Sequence, residues 1–208
     1  MNQKNSLGLD NCFLDTNDPI ELFKTWMNKA KETEPNDPNA LSLATSDSNG
    51  LPSVRIVLLK DFNENGFVFY TNLNSQKSLS LKKNPKAEMC FHWKSLLRQV
   101  RINGTVSEVL EKEADDYYDT RSYDSRIGAW ASKQSEVLNS RKELIDSINK
   151  YKEKYNNEKN VPRPNHWSGW RLLPKEIEFW LNVENRIHER LKYFKDKNGK
   201  WNKFLLNP

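Results

Sequence analysis

The sequence predicts an α+β protein: a closed or nearly closed antiparallel β-barrel with peripheral helices. Three observations predict it. Between Asn39 and Leu110 the apolar residues leave helical spacing for short runs rich in Val, Ile, Phe and Tyr, punctuated by turn residues. A second set of such runs follows Trp167, giving eight or so short strands in antiparallel order with helices inserted at the ends. Nowhere does strand, helix, strand repeat as a doubly wound nucleotide-binding sheet would require. With 208 residues and 36% hydrophobic content, a single domain can form a core without staples.

Residues 1–17 are polar and aperiodic, and are expected to form a flexible arm ahead of one domain over 18–208. Asp18-Pro19-Ile20-Glu21 reads as a helix start, with Asp as N-cap, Pro at the first helical position and Glu at the capping-box position. Leu22, Phe23, Trp26, Met27 and Ala30 follow at helical spacing as a core-facing stripe. Strands are expected at Ala40–Thr45, Ser53–Lys60, Phe67–Thr71, Ala87–Trp93 and Arg98–Leu110, with Asn49-Gly50 and Asn65-Gly66 as turns. A short helix from about Ser75 to Lys83 interrupts them and stops at Asn84-Pro85.

Glu111 to Ser132 reads as helical again. Ser140-Arg-Lys-Glu143 is a second capping box, opening a helix that turns Leu144, Ile148, Tyr151 and Tyr155 inward. Beyond a charged loop, strands are expected at Trp167–Leu172, Glu176–Asn182 and Arg186–Lys195. Asn198-Gly199 turns into a last one at Trp201–Leu206.

Composition narrows the function classes. Lys and Arg number 33 against 28 Asp and Glu, a net +5, which favours an anionic partner without naming it. No apolar run is long enough to span a membrane, and the first fifteen residues lack the pattern of a secretory signal, so no membrane partner is expected. Cys12 and Cys90 lie far apart and form neither a CxxC nor a ligand cluster, which suits reduced thiols in a cytoplasm. Three histidines without HxxxH or HExxH spacing give no metal site. GxSxG, GxxxxGK[ST] and GxGxxG are also missing, so the hard chemistry is left to a bound cofactor.

Cations inside apolar strands are more informative. Ser53-Val-Arg-Ile-Val-Leu-Leu-Lys60 sets Arg55 among β-branched residues, with Val57 and Leu59 on its face and Lys60 on the other. Arg98-Gln99-Val-Arg101 places a Gln within a strand, where it needs a hydrogen-bond partner if buried. Arg186, His188 and Arg190 stand at i, i+2 and i+4, so a strand there would turn two guanidiniums and an imidazole to one face, suited to a phosphate, a carboxylate or an electron-rich ring. A solvated sheet face answered by Glu184 and Glu189 fits the same spacing.

Five segments carry a resemblance: Arg55-Ile-Val-Leu-Leu-Lys60, Phe69-Tyr-Thr-Asn72, Arg98-Gln-Val100, Ser125-Arg-Ile-Gly-Ala-Trp-Ala-Ser-Lys-Gln-Ser135, and Ile177-Glu-Phe-Trp180 leading to Arg186-Ile-His-Glu-Arg190. In this order, over Asp18 to Pro208, the chain resembles the pyridoxamine 5′-phosphate oxidase family. The resemblance implies an FMN-binding split β-barrel, a homodimer with FMN at the subunit interface, and oxidation of pyridoxamine or pyridoxine 5′-phosphate by O2. Matched position by position, it implies FMN contacts from Arg55, Ile56, Val57, Leu58, Leu59, Lys60, Tyr70, Thr71, Gln76, Lys77, Gln99, Gln134, Ser135, Trp180 and Arg190. It implies substrate contacts from Lys60, Tyr117, Arg121 and Ser125, with Arg186 and His188 at the reacting ring.

Three departures stand out. Gln76 occupies a position where the family commonly has Arg. The N-terminal arm lacks an Arg/Tyr cluster, and the chain ends Leu205-Leu-Asn-Pro208 where Arg-Leu-x-Pro is common. One rival keeps the barrel and the flavin but changes the small-molecule substrate. Another is a basic barrel gripping single-stranded nucleic acid with exposed aromatics; here the aromatics fall at core spacing, so no nucleic acid is expected.

Overall fold

The computed structural model of the chain describes residues 4–158 and 160–208. Helix α1 (Pro19–Thr33) begins as the sequence dictates, with the Asp18 carboxylate accepting from the Ile20 N–H. Strands β1 (Ala40–Ser46), β2 (Pro52–Leu58), β3 (Asp61–Asn63) and β4 (Gly66–Asn72) follow, then helix α2 (Gln76–Lys83), β5 (Lys86–Trp93) and β6 (Arg98–Glu108). Helices α3 (Glu111–Asp119), α4 (Tyr123–Ala131) and α5 (Arg141–Lys154) precede β7 (Trp167–Leu181), β8 (Glu189–Lys195) and β9 (Trp201–Leu205).

The strands form one antiparallel sheet in the order β2-β1-β5-β6-β7-β4-β3, with β8 also on β7 and β9 on β8. Strand β7 explains the shape. Its first half, Trp167 to Leu172, pairs with β4, and its second half, Glu176 to Leu181, pairs with β8. The handover falls at Pro174, which has no N–H to give, opposite a register shift between Asn103 and Gly104 on β6. Gly104 is obligatory there, because a Cβ would stand 2.0 Å from the Leu173 carbonyl oxygen.

Helix α1 plugs the curled sheet. Phe23 meets Phe62, Phe67 and Phe91 edge-on at 4.9–5.2 Å, and Trp26 meets Phe13 and Phe179 at 5.2 Å. Trp26, Trp93, Trp167 and Trp170 are buried, so the aromatic stripe of a nucleic-acid binder is not formed by these rings.

Several expectations need correction. Residues 4–17 are not a free arm: Phe13 is fully buried, and the Thr16 carbonyl accepts from the Tyr193 hydroxyl at 2.9 Å and from Lys203 at 2.8 Å. The helical span expected over 111–132 is two helices: α3 closes at Thr120, whose N–H and hydroxyl both return to the Tyr117 carbonyl, at 3.1 and 2.7 Å. Strands 167–172 and 176–182 are one, the bulge carrying β7 past Pro174. A short strand at Asp61–Asn63 was not anticipated. The strand expected over Arg186–Lys195 starts only at Glu189; Glu184–Arg186 is a 3-10 turn, with Asn185 and Arg186 at φ 58 and 62. Arg186 and His188 therefore do not alternate with Arg190 along one strand. Ser140 caps α5 as expected, accepting from the Glu143 N–H, while the Glu143 carboxylate accepts from Asn139 Nδ2 at 3.4 Å; the α5 face is only half-buried, against Trp130.

Candidate active site

The first cationic cradle gathers β2, β4 and the start of α2. Edge strand β2 turns Val57 and Leu59 inward and leaves Ile56 and Lys60 exposed, as alternation requires; Leu58 is half-buried. Among the described residues its outer backbone edge has no strand beside it, so Ile56 and Leu58 can meet a ligand through main-chain groups; the Leu59 N–H and carbonyl are instead taken by the Asn39 carbonyl and side-chain amide, both at 2.9 Å. Arg55 does not snorkel: it donates to the Leu43 carbonyl at 3.1 Å, to Thr45 at 2.8 Å and to Ser53 at 2.7 Å. Lys77 Nζ donates to Thr71, Ser75 and Gln134 oxygens at 3.0–3.2 Å. The Ser135 hydroxyl accepts from the Gln76 N–H at 3.3 Å, while the Gln76 side chain is exposed.

Every acceptor named here is neutral, and among the described residues neither Arg55 nor Lys77 forms a carboxylate ion pair. Burial lowers the Lys77 ammonium to about 8, and Arg55 pushes it the same way. Two converging cations without a counter-ion form a site for a strong anion.

A second cradle adjoins it. The rings of Tyr70, Tyr117 and Trp167 lie nearly parallel, Tyr70 at 4.0 Å from Tyr117 and 5.3 Å from Trp167. Arg121, turned inward by the break between α3 and α4, covers the Trp167 ring at 4.7 Å. Its Nη1 is buried without a hydrogen-bond partner, and burial lowers its pKa. Lys60 Nζ stands 6.0 Å over the Tyr117 ring, and the Ser125 hydroxyl is exposed beside Ser122 at 2.8 Å. One cavity of about 360 Å³ is lined by Tyr70, Thr71, Arg121, Ser125, Gln134 and Trp167, joining the two cradles. Trp167 was not among the expected site residues, and only its place in an apolar run marked it.

A third group sits elsewhere. Gln99, Trp180 and Arg190 are register partners across β6, β7 and β8 and form a single rung. His188 leans on Trp180 at 4.7 Å and accepts from the Val183 N–H at 3.3 Å; Arg186 is exposed. Gly169, opposite Tyr70, lies eleven residues before Trp180 on β7, or roughly 35 Å along the strand at about 3.3 Å per residue. One chain thus brings the first two groups together and leaves the third at the far end of its longest strand.

The fold and the two cations of the first cradle, which form no carboxylate ion pair among the described residues, define a split-barrel protein with a site for an anion. Residues 27–155 match the family described as Pyridoxamine 5′-phosphate oxidase, and 167–208 match the Pyridoxine 5′-phosphate oxidase C-terminal dimerisation region. A relative from Pelagibacter ubique (strain HTCC1062), named "Pyridoxine/pyridoxamine 5′-phosphate oxidase", is 70% identical over the whole of both chains. Another of the same name from Allorhizobium ampelinum is 52% identical over 94% of this chain and 95% of its own. Among solved structures, PhzG from Burkholderia lata 383, in complex with tetrahydrophenazine-1-carboxylic acid, superposes with TM-score 0.89 at 29% identity, over 99% of this chain and all of that one. A pyridoxamine 5′-phosphate oxidase-related, FMN binding protein from Nostoc punctiforme shares the fold at TM-score 0.73 and 18% identity, over 90% and 96% of the two chains. The chain belongs to the pyridoxamine 5′-phosphate oxidase family.

Proposed function

We propose that the protein is an FMN-dependent oxidase that converts pyridoxamine 5′-phosphate or pyridoxine 5′-phosphate to pyridoxal 5′-phosphate, with O2 as acceptor, yielding hydrogen peroxide and, from the amine, ammonia. The observation that carries this reading is the cavity that runs from Thr71 and Gln134, which accept from Lys77, to Arg121, whose Nη1 has no hydrogen-bond partner among the described residues. The family's substrate and FMN each bear a phosphate, and the 70% identical relative carries the same activity in its name.

FMN fits the first cradle, where Lys77 and Arg55 lack counter-ions. When bound, it supplies the two-electron acceptor that O2 turns over. Thr71, Lys77, Gln134 and the Ser135 region hold its phosphate end, with Gln76 at the rim, and the β2 edge from Arg55 to Lys60 and Tyr70 line it. Lys60, Tyr117, Arg121 and Ser125 take the substrate phosphate. Half-buried, with its Nη1 out of solvent, Arg121 makes a stronger charge-assisted bond there than a fully exposed cation would.

Gln99, Trp180, Arg186, His188 and Arg190 complete the site from the second subunit of a homodimer, since their own chain holds them far from Tyr70. Arg186 presses the substrate ring into reacting geometry with His188 beside it; no covalent nucleophile is needed. The working compartment is the cytoplasm, a reading supported by two free cysteines, Cys12 and Cys90; among the described residues no helix is long and apolar enough to cross a membrane. Purified protein should be yellow, dimeric and stoichiometric in FMN, and should release peroxide with both phosphorylated vitamers. A flavoprotein inert toward both would shift the reading to another small-molecule substrate.

A further inference from the structure

The motif Ile177-Glu-Phe-Trp180 holds a residue with no role so far. Glu178 lies in the middle of β7, only 8% exposed. Its Oε1 accepts from Arg190 Nε at 2.9 Å and from Arg190 Nη2 at 2.7 Å. Its Oε2 lies 3.6 Å from Arg101 Nη1, and Arg101 is itself held through Nε by Glu88 at 2.6 Å. On its other side, Arg190 Nη1 donates to the Asn207 carbonyl at 2.9 Å.

We propose that Glu178 is a positioning residue for the flavin site, fixing the Arg190 guanidinium between its own carboxylate and the Asn207 carbonyl. The proposal rests on the reading of Arg190 as an FMN contact. A guanidinium carries about five N–H donors in a rigid fork. Three are engaged by Glu178 and Asn207, so the guanidinium plane is fixed and one donor on each of Nη1 and Nη2 remains to serve a ligand. Without Glu178, the side chain keeps a single anchor and spends its time in other rotamers.

The surroundings separate this role from a structural one. Removing Glu178 strands no buried cation, because Arg101 keeps Glu88 and Arg190 keeps Asn207 and is a quarter exposed. The fold should therefore tolerate the change better than the site does.

The test is flavin release from the holoenzyme, read as recovery of FMN fluorescence on dilution. Glu178→Ala and Arg190→Ala should each raise Kd on the order of tenfold, the scale of one charge-assisted hydrogen bond. The double variant should be no weaker than Arg190→Ala by more than about twofold, because Glu178 acts through Arg190. Glu178→Gln, which keeps an acceptor oxygen for the fork, should recover most of the affinity. Deleting Asn207 and Pro208 should also weaken FMN while leaving the buried carboxylate in place, a second arm should Glu178→Ala fold poorly.

Parental affinity in Glu178→Ala, additive losses in the double variant, or a Gln variant as weak as Ala would each overturn the proposal. A parent protein that binds no FMN would instead overturn the reading beneath it.

Discussion

The Tyr117 ring lies on the Tyr70 ring, centroids 4.0 Å apart and planes 12° from parallel, and the space for this stack is a missing Cβ. Gly169, the register partner of Tyr70 on β7, would place a Cβ 2.8 Å from Tyr70 Cδ1 and Cε1. Gly169→Ala should therefore tilt Tyr70 and carry Tyr117 with it. Since sub-ångström displacement at a reacting centre has large effects, kcat/KM for the phosphorylated vitamers should fall on the order of tenfold while FMN stays bound. Steady-state peroxide assays check this; an unchanged kcat/KM would detach the stack from substrate binding.

Lys77 sets a pH dependence with opposite signs for stability and for binding. Its folded pKa, near 8, lies below the ordinary lysine value of 10.5. Between these two values the unfolded chain holds a proton that the folded chain has lost, so this group's unfavourable burial is relieved as pH rises from 8 to 10.5. FMN affinity runs the other way, weakening above pH 8 as the ammonium facing the phosphate is lost. Binding at pH 8.5 should then take up a fraction of a proton, visible as a buffer-dependent heat in calorimetry. Lys77→Arg, which stays charged, should flatten both the uptake and the affinity profile.

Local chemistry was legible in the sequence wherever the partner of a residue was near. Asp18 and Ser140 cap the helices they were expected to cap, and Asn49-Gly50 lies in the β1–β2 turn, whereas Asn65-Gly66 closes the hairpin of β3 and β4 and not one between β2 and β4. Long-range partners were not legible. Phe13 looks like one apolar residue in a polar arm until Trp26 packs edge-on against it, and Thr16 is fixed by Tyr193, 177 residues away. In the site, cation identity could be read but direction could not. Arg55 turns under the sheet to Leu43 and Thr45, and Arg121 reaches Trp167 from the short turn that closes α3 at Thr120, which no helical spacing marks. The error at Arg186 has a similar origin: two-residue spacing describes faces only when the backbone is extended, and here Asn185 and Arg186 are left-handed.

That left-handed backbone makes Arg186 separable into a stability test and an activity test. A non-glycine residue at φ 62 is strained by roughly 1–2 kcal/mol. Arg186→Gly should therefore be more stable than Arg186→Ala by about 1 kcal/mol, the reverse of the usual helix order. On the proposed assignment, in which the side chain positions the substrate ring and the flavin has other ligands, both variants should remain yellow and lose on the order of 100-fold in turnover. Thermal melts and peroxide assays on the pair read the two effects independently. Equal loss of flavin and turnover would move Arg186 to the cofactor.

Gln76 offers a gain instead of a loss. It is the first residue of α2, exposed, with its N–H donating to Ser135 Oγ at 3.3 Å and Lys77 next to it in the cradle. An Arg at this position would add a third cation to a site where Arg55 and Lys77 have no counter-ion. A buried charge-assisted bond in place of a neutral one would tighten FMN about tenfold, but at an exposed position solvent screening reduces the gain to roughly three- to fivefold. The gain should shrink further between low salt and about 1 M salt, where the Debye length falls to about 3 Å. Turnover at saturating FMN should hardly change, because the added charge acts at the phosphate end and not on the substrate ring. FMN titrations of parent and Gln76→Arg at both salts measure all three effects together. An affinity that stays put at low salt would mean that Thr71, Lys77, Gln134 and Ser135 already saturate the phosphate oxygens.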